Sequence, residues 1–377
     1  MSTGIIARKI KCAMSTALRY LRELKAAKQV IEKRISNTIN LWKLTGKRIM
    51  LIDVDSTIPN LALMKISTYY KSKGDNVKLV KLKLKRRKDG TLKDGVKVDL
   101  SDKPDNVYIS VIFKKNKQVV DDLVSQHPDI TFDIGGSGYN LQKELSPEIE
   151  ELKPDYTLYP EFDYSMGFSS RGCFRKCGFC IVHEKEGAFR RTQHPSEWFD
   201  PKFRKITFFD NNILVDKEWF MEVTEWCTEK KLEVQFNQGL DIRLIDAEIA
   251  KRLLEMPKHG MLNFAWDDIK TEQAVRKGIE LLKQAGFTKN KLRAKVQFYV
   301  YVASDDDYES GVYRCRELKK LSCNTYLMFN IVNQQTQRII DLKRWSKGKA
   351  AFWGIDIADY NPQLCMSAKK RTRVHIV

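Results

Sequence analysis

Between Tyr164 and Ile331 the chain carries six short apolar runs, alternating with longer amphipathic ones. The apolar runs fall at 164–169, 205–209, 232–236, 261–265, 294–300 and 325–331. Helical periodicity occupies Lys217–Lys230, Ala247–Met256, Thr271–Ala285 and Asp307–Leu321 between them. Repeated in this order, strand and helix have few ways to bury their apolar faces. The economical one is a set of parallel strands joined by right-handed helical crossovers. A shorter version comes earlier: strand Ile49–Val54, helix Pro59–Lys73 and strand Val77–Leu82, then strand Asn106–Phe113, helix Lys117–Gln126 and strand Ile130–Ile134. That last strand runs into Gly135-Gly136-Ser137-Gly138, which lacks the G-x-G-x-x-G spacing, so a tight turn is favoured over a ligand loop.

The length of 377 residues suits two or three domains, and 42% hydrophobic with 31% charged residues is a folding composition. No run reaches the ~18–20 apolar residues of a membrane span, and the first residues lack a secretory signal. Eight cysteines are scattered except for one group, which points to a reducing, cytoplasmic setting.

That group lies in "MGFSSRGCFRKCGFCIVHEKEG". Cys173, Cys177 and Cys180 are spaced C-x3-C-x2-C directly after the first strand, where barrel folds place functional loops. Three thiolates so close can hold one soft metal centre and leave a coordination position open. A structural zinc site with His183 as fourth ligand is the alternative. Against it, the spacing is uneven, whereas zinc knuckles favour paired C-x2-C units. Cys12, Cys227, Cys315 and Cys323 lie apart and supply no second cluster.

The C-x3-C-x-Phe-C run after a strand, led by "SSRGC", resembles the signature of the radical S-adenosylmethionine superfamily. The form is similar to that of the methylthiotransferase-like and cobalamin-domain branches. The resemblance implies a partial (β/α)6 TIM-like barrel over 151–335 and a [4Fe–4S] cluster on Cys173, Cys177 and Cys180. S-adenosylmethionine would chelate the unique iron, with the Phe179 backbone near its adenine. It also implies nucleotide contacts at later strand ends: Asp210, Asn211 and Asn212, then Arg243 for the methionyl carboxylate, and Asp268. "FFDNNIL" lacks the family's Gly-Gly-Glu at this place, and each of these residues could instead cap its loop. An electron donor such as flavodoxin or ferredoxin is the implied partner. Residues 49–150 resemble the Rossmann-like cobalamin domain of related enzymes. They lack Asp-x-His-x-x-Gly, and their only histidine, His127, precedes a proline, so cobalamin is not expected.

The formal charge of +19 is concentrated. Residues 1–48 carry a surplus of ten positive charges, 78–97 of seven and 343–377 of six, leaving the remainder slightly acidic. Such patches attract polyanions, although each also serves as a solvated surface. In the first segment, Ile5–Lys11 predicts a short helix, and Ser15 is placed to cap a second one. That helix repeats Ala17, Leu18, Leu21 and Leu24 on one face and Arg19, Arg22, Lys25 and Lys28 on the other. Val30–Arg34 and Asn40–Leu44 read as a hairpin. "ALRYLRELKAAKQVIEKRISNTINLWKLTG" resembles the recognition helix and wing of winged helix-turn-helix modules. That implies Ser15, Thr16, Arg19 and Arg22 toward a DNA groove and Arg34–Thr38 as the wing. Protein docking is the other use of such a segment.

The expected fold class is α/β, with four parts: a winged-helix-like segment (1–48), a Rossmann-like domain (49–150), the partial barrel (151–335) and a basic extension (336–377). The expected activity is radical cleavage of S-adenosylmethionine, followed by hydrogen abstraction from a nucleic-acid base or nucleoside. A peptide or small metabolite is the second substrate class, and no catalytic residue beyond the cofactor sites is named. A non-catalytic iron–sulfur DNA-binding regulator remains the alternative from another class.

Overall fold

The computed structural model describes residues 1–26, 30–34, 40–44, 46–87, 91–93, 95–329 and 336–363. The chain divides into two compact units, Met1–Phe162 and Asp163–Val377, of mixed α/β structure with several parallel sheets. No helix among the described residues is long and apolar enough to cross a membrane.

The first unit opens with helices α1 (Thr3–Lys9) and α2 (Met14–Ala26) and an antiparallel pair, β1 (Val30–Arg34) and β2 (Asn40–Leu44). Ser2 caps α1, so that helix begins before Ile5. The second helix begins at Met14, which puts Ser15 within its first turn rather than at the cap. Ala17 and Leu21 are buried, and Leu21 joins Ile6, Leu18, Leu24 and Val30 in a small core.

Next come β3 (Arg48–Asp53), α3 (Leu61–Ser72), β4 (Asn76–Lys81), β5 (Asn106–Ser110), α4 (Lys117–Ser125), β6 (Phe132–Gly135) and α5 (Pro147–Glu150). The four strands form an all-parallel sheet in the order β4-β3-β5-β6. Met50, Leu51 and Ile52 of β3 are buried on both faces, as a central parallel strand requires. Gly136 turns the chain at φ +94°, and a Cβ there would stand 2.2 Å from the Val111 carbonyl. The glycine run is therefore a close packing turn against the end of β5.

The second unit runs through β7 (Ser165–Gly167), β8 (Ser170–Arg171), α6 (Val182–Lys185), β9 (Arg190–Arg191), α7 (Pro195–Trp198), β10 (Lys205–Phe208), α8 (Lys217–Glu229) and β11 (Glu233–Phe236). It continues with α9 (Ala247–Glu255), β12 (Leu262–Ala265), α10 (Glu272–Gln284), α11 (Lys289–Lys295), β13 (Val296–Val302), α12 (Tyr308–Lys320), β14 (Asn324–Phe329), α13 (Gln337–Lys347) and α14 (Lys349–Gly354). Two parallel sheets result, β11-β10-β7 and β12-β13-β14. Isolated parallel bridges Val234–Lys258 and Leu240–Phe264 run from β11 toward β12. The strand expected at 294–300 starts two residues later, because Thr288 caps α11 and draws residues 294 and 295 into a helix. Trp345 and Phe352, from the segment expected as a basic extension, are buried in the core of this unit.

In β13, Val296, Phe298, Val300 and Val302 are wholly buried while Gln297, Tyr299 and Tyr301 alternate with them on the other face. Phe208, Phe220, Phe236 and Phe264 complete the apolar layer, each worth about 1.5–3 kcal/mol of transfer free energy. One face is thus a dense core, and the opposite face is left to polar side chains.

Candidate functional site

The triad loop leaves β7 and returns through β9. Its base is closed by the β8–β9 ladder, Ser170 with Arg191 and Arg171 with Arg190. Gly172 enters the loop at φ +80°, and a Cβ there would meet the Ala188 carbonyl at 2.1 Å, so glycine is required. Arg171 pairs with both oxygens of Glu186 across the loop, at 3.2 and 3.1 Å. The Cys173 N–H donates to the Gly187 carbonyl, and the Cys180 N–H to the Cys177 carbonyl.

Three consecutive residues after β10 fasten this base. Asp210 accepts the Ser169 N–H at 2.8 Å and the Ser169 and Ser170 hydroxyls at 2.6 Å each. Burial raises its pKa above the ordinary carboxylate value against those lowering hydrogen bonds. Asn211 accepts the Gly172 N–H at 2.8 Å, and the Asn212 amide donates to the Cys173 sulfur at 3.8 Å. The three residues expected as nucleotide contacts thus hold the loop that carries the cysteines. Asn212 Oδ1 is buried beside Cys173 with no hydrogen-bond partner among the described residues.

The loop reaches the other strand ends through two further contacts. Arg175 donates to Asp241, after β11, at 2.5 Å, and Arg243 grips the same carboxylate through Nε (2.7 Å) and Nη2 (3.0 Å). Burial pushes the Asp241 carboxyl up, but Arg243 and Arg175 outweigh it and the net shift is downward. Arg243 therefore spends Nε and Nη2 on Asp241. Phe179, half exposed, stacks on Tyr301 of β13 with centroids 4.2 Å apart and planes at 21°.

At the end of β12 it is Asp267, not Asp268, that faces this group. Burial raises its carboxyl to about 6, with the Tyr301 N–H and then Arg314 and Arg243 opposing. Asp268 is exposed and accepts the Lys270 N–H, capping its own turn. Arg314 of α12, fully buried, donates to the carbonyls of Trp266, Asp267, Tyr301 and Ser310 and braces the ends of β12 and β13. The sequence marks Asp267 only as half of the strand-end pair Asp267–Asp268, and Arg175 and Arg314 carry no signal of their own.

The three thiols are free and half-buried. Burial raises the Cys177 thiol, and Cys180, Asp267 and Cys173 add to the rise while Arg243 opposes it. The triad thus shares one electrostatic neighbourhood. As the side chains stand, no group of three or more His, Cys, Asp or Glu among the described residues is arranged to hold a metal ion. His183 joins no such group, and its Nδ1 is buried without a partner among the described residues. The donor set still fits an iron–sulfur centre in kind: three free thiols on one fastened loop, beside an arginine and an orphaned buried amide oxygen.

In the first unit, Ser15, Arg19 and Arg22 are exposed on α2 and Thr16 is half-buried. Arg19 lies 4.0 Å from Glu23 and over the Tyr20 ring. Arg34 closes β1, but its side chain and residues 35–39, the expected wing, lie outside the described residues.

No protein-family model matches this chain, and no curated protein matches it. A crystal structure of an N-acetyl-L-ornithine transcarbamylase variant, complexed with carbamyl phosphate and N-succinyl-L-norvaline, aligns with 68% of this chain and 77% of its own. Its sequence identity is 9% and its TM-score 0.20, a likeness that carries no argument about fold or function.

Proposed function

We propose that the second unit is the core of a radical S-adenosylmethionine enzyme, a partial (β/α)6 barrel whose Cys173, Cys177 and Cys180 would hold a [4Fe–4S] cluster. The observation that carries this reading is how the C-x3-C-x2-C loop is tied down. It follows β7, is fastened by the residues after β10, is bound to the turn after β11 through Arg175 and Asp241, and rests on β13 through Phe179. Cysteines spaced for a structural knuckle have no need of anchors on so many strand ends.

The chemistry such a group supplies when bound is one electron, which splits S-adenosylmethionine into methionine and a 5′-deoxyadenosyl radical. The protein's own residues prepare the place. Asp210 and Asn211 fix the loop's entry, and Asp241 aligns Arg175 with Arg243, which is suited to the methionyl carboxylate. Phe179 stacked on Tyr301 would offer an aromatic wall beside the nucleotide. A nucleic-acid base or nucleoside is the substrate class, supported by the charge surplus of residues 1–48, which we read as a winged-helix-like module. The first unit's four-stranded sheet is read as Rossmann-like, without cobalamin. Flavodoxin or ferredoxin would supply the electron.

Anaerobically reconstituted, reduced protein given S-adenosylmethionine is expected to release 5′-deoxyadenosine. Arg243→Ala should weaken nucleotide binding by about 1.5 kcal/mol, the loss of a charge-assisted contact. Stoichiometric zinc with no 5′-deoxyadenosine would overturn the proposal. Deuterium transfer into 5′-deoxyadenosine from labelled nucleic acid, against a peptide or metabolite pool, decides the substrate class.

A further inference from the structure

Beyond the end of β4 the chain does not turn back at once but continues as a ribbon. Residues 82–87 run out and 91–93 and 95–97 return, with an antiparallel bridge between Arg86 and Leu92. The Arg87 N–H donates to the Thr91 carbonyl and the Lys93 N–H to the Lys85 carbonyl, both at 2.8 Å. The side chains alternate strictly. Leu82, Leu84, Leu92 and Val96 pack against the core of the first unit, while Lys81, Lys83, Lys85, Arg87, Lys93 and Lys97 are exposed. Arg87 uses its guanidinium on the Leu92 and Lys93 carbonyls and so stiffens the ribbon. Lys83, Lys85, Lys93 and Lys97 have no carboxylate partner among the described residues.

Arg86, on the inward side, donates to Asn116 Oδ1 and so ties the ribbon to the turn after β5. That turn exposes Phe113 with Lys115 5.6 Å from its ring, and Lys114 and Lys117 beside it. A cleft of about 300 Å³ opens along the ribbon, lined by Leu84, Leu92, Lys83, Lys85 and Lys97.

We infer that this ribbon and turn form a binding surface for single-stranded nucleic acid, separate from α2. Alternate residues of an extended chain stand about 6.7 Å apart, a spacing commensurate with successive phosphates of an extended strand. Cations meet the backbone, and one exposed aromatic ring gives a base a face to stack on. A ribbon with six outward cations and no carboxylate paired to Lys83, Lys85, Lys93 or Lys97 among the described residues favours a polyanion lying along it.

The test uses the full-length protein without cofactors, so its result is independent of the radical-enzyme reading. A fluorescent 20-nucleotide mixed-sequence single strand is titrated at several salt concentrations against wild type, K83E/K85E/K93E, Phe113→Ala and R19E/R22E. These side chains are exposed, and circular dichroism verifies the fold. The ribbon variant should bind at least about ten-fold more weakly, and its salt slope should flatten by about two, near 0.7 per lost phosphate contact. Phe113→Ala should weaken single-strand binding several-fold and leave heparin binding unchanged. Unaltered affinity of the ribbon variant, or loss only in R19E/R22E, would overturn the proposal. So would equal losses for the single strand, heparin and anionic vesicles with no effect of Phe113→Ala, since that marks a non-selective polyanion surface.

Discussion

At the C-terminal edge of the β4-β3-β5-β6 sheet, the polar side chains bind one another. Buried Asp53 accepts the Ser56 N–H at 3.0 Å and the Tyr159 hydroxyl at 2.8 Å. Asp55 takes the Ile112 and Phe113 N–H groups and the Asn116 amide, and Asn60 donates to Ser110. At the corresponding edge of the second unit, the strand ends support a loop with three half-exposed thiols, an arginine bound to Asp241, and a carboxyl raised by burial to about 6. Open α/β sheets take ligands in the crevice at this edge, where crossovers diverge. The first unit fills its crevice with its own hydrogen bonds, and the second leaves chemistry-bearing groups there. Shared strand grammar therefore does not imply the same side-chain chemistry at the strand ends.

The contrast breaks most visibly if the triad proves dispensable. Cys173→Ala, Cys177→Ala and Cys180→Ala should each reduce iron after anaerobic reconstitution from about four per chain to a small fraction. Cys227→Ala, in the buried core of the same unit, should cost stability and leave iron unchanged. Equal iron in both sets would remove the functional distinction between the two edges.

A smaller effect is expected at the loop's anchor. Asp210→Ala strands the hydroxyls of Ser169 and Ser170 and an N–H in a buried place, a loss of about 3 kcal/mol in urea unfolding. Iron uptake should fall with it, because the cysteine loop loses its footing. Asn211→Ala, which removes one acceptor, should cost about 1 kcal/mol.

The smallest effect concerns acid and the first unit. Burial raises Asp155, but Lys71, Ser67 and Thr157 outweigh it, so its carboxyl lies below the ordinary value. A depressed native value stabilises above the unfolded carboxylate range, near 4, and that stabilisation is lost as pH falls through the native value. Asp155→Asn should therefore destabilise the first unit by about 1 kcal/mol at pH 7 and make its stability flatter below pH 4. Hydrogen exchange across α3 reads this directly, and an unchanged acid profile would show that Asp155 contributes nothing.

Much of this architecture was legible because buried parallel strands must be apolar runs. The six strands of the second unit's parallel sheets overlap those inferred from hydrophobic grouping, with β13 displaced by two residues, while the short pair β8 and β9 was not inferred. Patterning failed where the deciding partner is distant in sequence. Arg314 sits in a helix whose composition suggests a solvated face, yet the carbonyls that receive it come from strand ends up to 48 residues away. The Asp267–Asp268 pair offers no local sign of which carboxylate turns inward. Asp210, Asn211 and Asn212 were recognisable as strand-end residues, but their partners become visible only when β7 and β10 pair with Gly167 opposite Phe208.

That pairing has a consequence for which changes of length the chain tolerates. Asp210, Asn211 and Asn212 meet Ser169–Ser170, Gly172 and Cys173 in the same order along both segments. The match is one of phase, set by the register of two neighbouring strands. Inserting a single residue between Phe209 and Asp210 would shift all three partners at once and turn each side chain away from its mate. A conservative replacement at any one position would disturb only that rung. In this stretch residue spacing is constrained more tightly than residue identity: deletions and insertions should be far rarer than substitutions among functional variants of the 205–212 segment.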